Sequence, residues 1–257
     1  MSGLEIFGLA AAACAAGVIN AVAGGGTLVT FPALIFFGTP AVIANATSTV
    51  ALVVGTAGGI YGYRRHLPAV RPWLPSLLPA SLVGGLIGSI LLTRTSEMVF
   101  AQLVPFLVLF ATLLFVAQGA FRRFGGFDEC GAPAAHHRAI GAAALFQFGV
   151  AVYGGYFGAG IGILMLASLG FLGLRDIHEM NGLKNVLGSL INLVAAAWFI
   201  ASGLIDWPKA AVMTGGALAG YFLGAHFSQR IPQQRVRQLI AVIGLTISAV
   251  MFWRQFA

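Results

Sequence analysis

The chain has 257 residues, of which 59% are hydrophobic and only 8% charged, where a soluble domain carries about a quarter. Its net charge of +7 reflects a shortage of acids, seven in all, and arginines scattered through short loops. Composition therefore excludes a soluble domain, and the lack of a basic face with interleaved aromatics excludes a nucleic-acid partner.

The first apolar run carries Glu5 and no Lys or Arg before it. That is unlike a cleaved signal peptide, so this run is expected to be the first membrane segment. Glycines interrupt it at Asn20-Ala-Val-Ala-Gly-Gly-Gly-Thr27, and a short apolar piece, 28–38, follows. Runs at 41–63, 74–92 and 99–119 come next, each near the roughly 20 helical residues that span a hydrocarbon core. The longest polar stretch, 121–139, holds Arg122, Arg123, Asp128, Glu129, His136, His137 and Arg138. Beyond it lie 140–157, a second glycine break at Gly158-Ala-Gly-Ile-Gly162, a short piece at 161–173, and runs at 186–201, 210–227 and 239–253.

The chain reads as an internal duplication. Asn45 meets Asn181 at a shift of 136 residues, and the same ungapped shift matches Pro72 with Pro208 and Arg94 with Arg230. It also matches Gln102-Leu103 with Gln238-Leu239, and Gly84 and Gly88 with Gly220 and Gly224. Alanine and leucine matches arise by chance in so biased a composition; those of Asn, Pro, Arg and Gln do not. The expected division is a first repeat at 1–121, a connecting cytoplasmic loop at 122–139, and a second repeat at 140–257.

Charge placement sets the relation of the halves. Lys and Arg concentrate in cytoplasmic loops. Arg64, Arg65 and Arg71, then Arg122, Arg123 and Arg138, then Arg230, Arg235 and Arg237 mark three rich loops. The intervening loops hold Arg94 alone, or Lys209 beside Asp206. Because 64–71 corresponds to 200–207, equivalent loops fall on opposite sides, as in inverted-topology repeats. Both termini are then non-cytoplasmic, and Tyr61, Tyr63, Trp73, Trp207 and Trp253 suit interfacial belts. The fold expected is an all-α polytopic membrane protein of two inverted repeats. Each repeat is a glycine-broken helical pair plus three transmembrane helices, 8–10 membrane segments in total.

Polar residues inside membrane-length helices are costly and mark sites. Asn181, Lys184, Asn185, Gly188 and Asn192 fall within about 100° of arc on one helix face. Shifted by 136, the positions become Asn45, Ser48, Thr49, Leu52 and Thr56. Lys184 suits a small anion, whose competing explanation is snorkelling to the helix end. The glycine breaks can offer backbone amides to an anion, with close helix packing as the alternative. Gly84-x-x-x-Gly88 and Gly220-x-x-x-Gly224 read as packing faces. No nucleophile–base set, metal spacing or cofactor motif is visible: His178-Glu179 lacks the second histidine of a zinc motif, and Cys14 and Cys130 form no framework.

The runs from Asn20 to Leu34, Ala44-Asn-Ala-Thr-Ser48, Asn181-Gly-Leu-Lys-Asn185 and Gly203-Leu-Ile-Asp-Trp207 resemble the signatures of the TauE/SafE family of sulfite and organosulfonate exporters. The resemblance spans essentially the whole chain and implies a secondary carrier of small sulfur-containing oxyanions in the cytoplasmic membrane. Gly158-Ala-Gly-Ile-Gly162 departs from the consecutive glycines usual in the second repeat. The substrate-binding set expected is Asn20, Gly24, Gly25, Gly26, Thr27, Asn45, Ser48, Thr49, Gly160, Gly162, Asn181, Lys184, Asn185 and Asn192. Asn45, Ser48, Thr49, Asn181 and Asn185 would donate hydrogen bonds to oxyanion oxygens. The partners expected are a small anion and membrane lipid, with a homo-oligomer left open. An anion channel, a carrier of another small organic anion, and a non-transporting membrane protein remain the alternatives.

Overall fold

The computed structural model describes residues 1–22, 25–62, 67–124, 136–171, 177–227 and 233–256. Every regular element among them is helical: α1 (Gly3–Val22), α2 (Thr27–Phe36), α3 (Ala41–Gly62), the single turn α4 (Leu67–Val70), α5 (Leu74–Arg94) and α6 (Glu97–Phe124) form the first half. The second half has α7 (His136–Tyr156), α8 (Ile161–Phe171), α9 (Ile177–Ala201), α10 (Trp207–Phe227) and α11 (Gln233–Phe256). Four stretches, Gly3–Ala21, Pro68–Arg94, Glu97–Leu114 and Glu179–Ala201, are long and apolar enough to cross a membrane. The polytopic all-helical expectation is thereby met.

Glycine produces the two breaks. Gly25, Gly158 and Gly160 have φ of 92°, 79° and 78°, a left-handed backbone that other residues adopt only with strain. After each break the chain restarts as a short helix, ten residues in α2 and eleven in α8. At 1.5 Å per residue each covers about 15 Å, half of the roughly 30 Å core. A Cβ added at Gly26 would lie 2.6 Å from the Ala16 carbonyl oxygen, whereas Gly8 is covered by the ring of Phe37. Helix α2 therefore runs back along α1, so segment 28–38 dips in and returns without crossing. Helix α8 packs against both α7 and α9: Ile161 and Ile191 both lie against Gly154, Lys184 lies against Gly162 and Met165 against Gly188.

One end of the bundle can be assembled from its hydrogen bonds. The Glu97 carboxylate at the start of α6 accepts from the N–H groups of Ala41 and Val42 at the start of α3. The Trp198 indole near the end of α9 donates to Thr93 near the end of α5 at 3.2 Å. Tyr156 at the end of α7 reaches Thr95, and Lys209 at the start of α10 pairs with Glu5 at the start of α1. So α1, α3 and α10 start at this end, while α5, α7 and α9 finish there. Helices matched by the 136-residue shift (α1 with α7, α3 with α9, α5 with α10) run in opposite directions.

Packing follows the same exchange. Helix α1 lies along α10, and α5 lies along α7, so each half's first helix packs against a later helix of the other half. Glycines permit it: a Cβ at Gly220 would strike the Cys14 carbonyl, and one at Gly88 the Val152 carbonyl. Backbones this close gain dispersion and Cα–H···O contacts in the absence of a hydrophobic drive within lipid. Two buried apolar clusters result. One is centred on α1, α2 and α3, the other on α5, α7, α8 and the first half of α9. Phe31 of α2 also meets Phe157 at the second break edge-on, with ring centroids 5.3 Å apart.

Arg64, Arg65, Asp128, Glu129, Cys130 and Arg230 lie outside the described residues, as does most of the expected connecting loop. The described Arg71 and Trp207 are equivalent positions, and both are exposed. In a cysteine-free background, a membrane-impermeant maleimide applied to intact cells should label Trp207→Cys. Arg71→Cys should react only after permeabilisation. Labelling of both from one side would overturn the inverted arrangement.

Candidate functional site

The two striped helices, α3 and α9, pack against each other. Their stripes are treated differently by the fold. Asn45 is 1% exposed and Thr47 and Ser48 are fully buried, whereas Asn181, Lys184, Asn185, Gly188 and Asn192 are each partly exposed. The first stripe is buried at Asn45 and Ser48 and partly exposed at Thr49 and Thr56, whereas the second is partly exposed throughout.

On α3, Asn45 Nδ2 donates to the Tyr156 carbonyl oxygen at 3.0 Å, which ties the first stripe to the end of α7 beside the second break. Its Oδ1 is buried and has no partner among the described residues. Ser48 Oγ pairs with Thr30 Oγ1 of α2 at 2.6 Å, and Thr30 donates to the Gly26 carbonyl at 3.3 Å. Thr49 donates to the Asn45 carbonyl at 2.9 Å. On α9, Lys184 Nζ donates to Asn181 Oδ1 at 2.9 Å. The lysine stem lies over the start of α8, its Cδ 3.3 Å from where a Cβ on Gly162 would sit. Asn192 Oδ1 approaches Gly158 in the same way, at 4.0 Å.

The first break is held by Asn20. Its Oδ1 accepts from the Gly26 N–H at 2.6 Å, and its Nδ2 donates to the Tyr221 hydroxyl of α10 at 2.9 Å. A backbone N–H buried without an acceptor costs about 1–3 kcal/mol, so Asn20 stabilises the restart of α2. At the second break, the Tyr153 hydroxyl donates to the Ala159 carbonyl at 2.7 Å. Gly25 and Thr27 are partly exposed at the mouth of the first break, and Gly160 is buried against Ala111 of α6. Gly24 lies outside the described residues.

The structure thus brings Asn45, Ser48 and Gly26 together through Thr30, and Asn181, Lys184 and Gly162 together directly. Thr30, Tyr156 and Tyr221 were not singled out from sequence. Thr30 stands four residues after Gly26, the spacing of a hydroxyl that reaches a preceding carbonyl, and that was the available signal. A further cluster closes the end where α1 starts. Lys209 Nζ lies 3.2 Å from Glu5, 3.5 Å from Asp206 and 2.9 Å from Thr39 Oγ1. The Asp206 N–H donates to Thr47 Oγ1 on α3 at 3.1 Å.

The family described as Sulfite exporter TauE/SafE matches residues 9–251. The chain is 28% identical to a "Probable membrane transporter protein" of Haemophilus influenzae over 93% of its own length and 91% of the relative's. It is also 28% identical to the "Probable membrane transporter protein YfcA" of Escherichia coli K12, over 92% of its length and 84% of that protein's. A third relative, the "Probable membrane transporter protein ORF9" of a Sinorhizobium species, is 25% identical over 92% of this chain and 88% of its own length. No solved structure matches. The chain belongs to the Sulfite exporter TauE/SafE family and is a multi-pass membrane transporter.

At the breaks, Gly25→Leu and Gly160→Leu place a branched side chain on left-handed backbone, which costs about 1–2 kcal/mol for a non-glycine residue. Both variants should insert into the membrane at near-normal levels and lose transport. Normal transport by either would show that its break is only a packing feature.

Proposed function

We propose that the chain is a secondary carrier that moves small sulfur-containing oxyanions, such as sulfite or organosulfonates, out across the cytoplasmic membrane. It would use two inverted repeats, with both termini on the outer side. The anion is held beside α9, where Lys184 supplies the charge, Asn181, Asn185 and Asn192 supply amides, and the Gly158–Gly162 break admits close approach.

One observation carries this reading. Lys184, the one lysine or arginine within an apolar segment of the sequence, lays its stem over Gly162 at the start of α8 and gives its ammonium to Asn181 Oδ1. A snorkelling lysine extends into the interface. This one lies over a helix restart and remains partly exposed, so its charge can meet a ligand in a low-dielectric setting. Family membership supports transport and a sulfur oxyanion as cargo. The family description supports outward movement, and the arginine distribution supports the orientation with both termini outside.

Lys184→Gln keeps a hydrogen-bonding side chain of similar volume but removes the charge. A charge-assisted contact to an anion contributes about 1.5–3 kcal/mol, so sulfite affinity of the purified protein should weaken roughly 10- to 150-fold at fixed pH and salt. A change within about a factor of two is what an exposed charge would give, and it would remove Lys184 from the site.

A further inference from the structure

The first stripe is expected from sequence to donate hydrogen bonds, yet the Thr49 hydrogen already has an acceptor inside the protein and Ser48 is engaged with Thr30. Each hydroxyl carries one hydrogen. Thr49 gives its own to the Asn45 carbonyl. Ser48 and Thr30 share one hydrogen across 2.6 Å, which either hydroxyl can donate, and Thr30 also lies 3.3 Å from the Gly26 carbonyl. Thr49 therefore keeps only acceptor capacity, and the Ser48 oxygen retains a lone pair whichever hydroxyl donates. The orientation of Asn45 is fixed as well: a carbonyl cannot donate, so Nδ2 must face Tyr156 and Oδ1 must face away. That unpartnered, fully buried oxygen lies near the end of α7, where backbone carbonyls carry partial negative charge.

The second repeat shows what this oxygen can take. Asn181 is the counterpart of Asn45, and its Oδ1 is met by the Lys184 ammonium at 2.9 Å. The counterpart of Lys184 is Ser48, too short to return a charge to the asparagine. One repeat holds a tethered cation where the other presents an unmatched oxygen.

The geometry points to a binding site for a mobile monovalent metal cation, sodium-like in size, at Asn45 Oδ1 with the Ser48 and Thr49 hydroxyl oxygens. Neutral oxygens beside a helix break suit such an ion. None of the three groups titrates near neutral pH, so a metal ion fits the site better than a proton. The ion's role as coupling partner rests on the carrier reading above; its binding does not. Because α3 and α9 are in contact, a cation on one stripe and an anion on the other attract.

The test compares NaCl with choline chloride at constant ionic strength on purified protein, reading thermal stability and sulfite affinity. Na+ should raise Tm and tighten sulfite binding at least about fivefold, the lower end of usual coupling between sites. Both responses should vanish in Asn45→Ala and shrink in Thr49→Val, which keeps its shape. Lys184→Gln should lose sulfite affinity and keep the Na+ effect on Tm, so the anion and cation assignments fail separately. Equal responses to Na+ and choline, or wild-type Na+ responses in both Asn45→Ala and Thr49→Val, would overturn the site. If Asn45→Ala does not fold, Thr49→Val decides alone.

Discussion

A broken helix inside a bilayer must find partners for every backbone group it frees, since lipid offers none. The fold meets that constraint by bringing in side chains from elsewhere in the chain. Asn20 holds the Gly26 N–H and is itself steadied by Tyr221 of the other half. Asn45 covers the Tyr156 carbonyl at the opposite break. Each break thus depends on the half to which it does not belong, and neither half can form its site alone.

The exchanged packing follows from this dependence. With α1 seated on α10 and α5 on α7 through glycine faces, the molecule divides into two bodies, each mixing elements of both halves. Backbone contacts this tight do not slide easily, because packed interfaces have few alternative arrangements. Movement between the bodies would pass across the α3–α9 contact, where the polar stripes lie. The Lys209, Glu5, Asp206 and Thr39 cluster joins α1, α10 and the α2–α3 turn at one end.

Much of this was legible in the sequence because it rests on local or periodic signals. Membrane spans follow from length and hydropathy, the breaks from glycine, and the shift of 136 from matches such as Asn45 with Asn181. The packing role of Gly84, Gly88, Gly220 and Gly224 also followed from spacing. What could not be read was set by tertiary partners. Whether Asn45 offers a donor or an acceptor depends on where the Tyr156 carbonyl points, 111 residues away. Asn20 looked like a ligand group and proved to be the acceptor for Gly26. Lys209 and Asp206 looked like loop charges, and only the fold shows that they tie three helices together.

The central proposal is that the anion site beside α9 is exposed alternately to the two sides, as a carrier requires and a channel does not. Counterflow tests it most directly. Proteoliposomes loaded with unlabelled sulfite and diluted into a trace of labelled sulfite, with potential and ion gradients collapsed, should transiently accumulate label above its external concentration. Simple equilibration without overshoot, with a rate that does not saturate, would contradict alternating access and leave a channel.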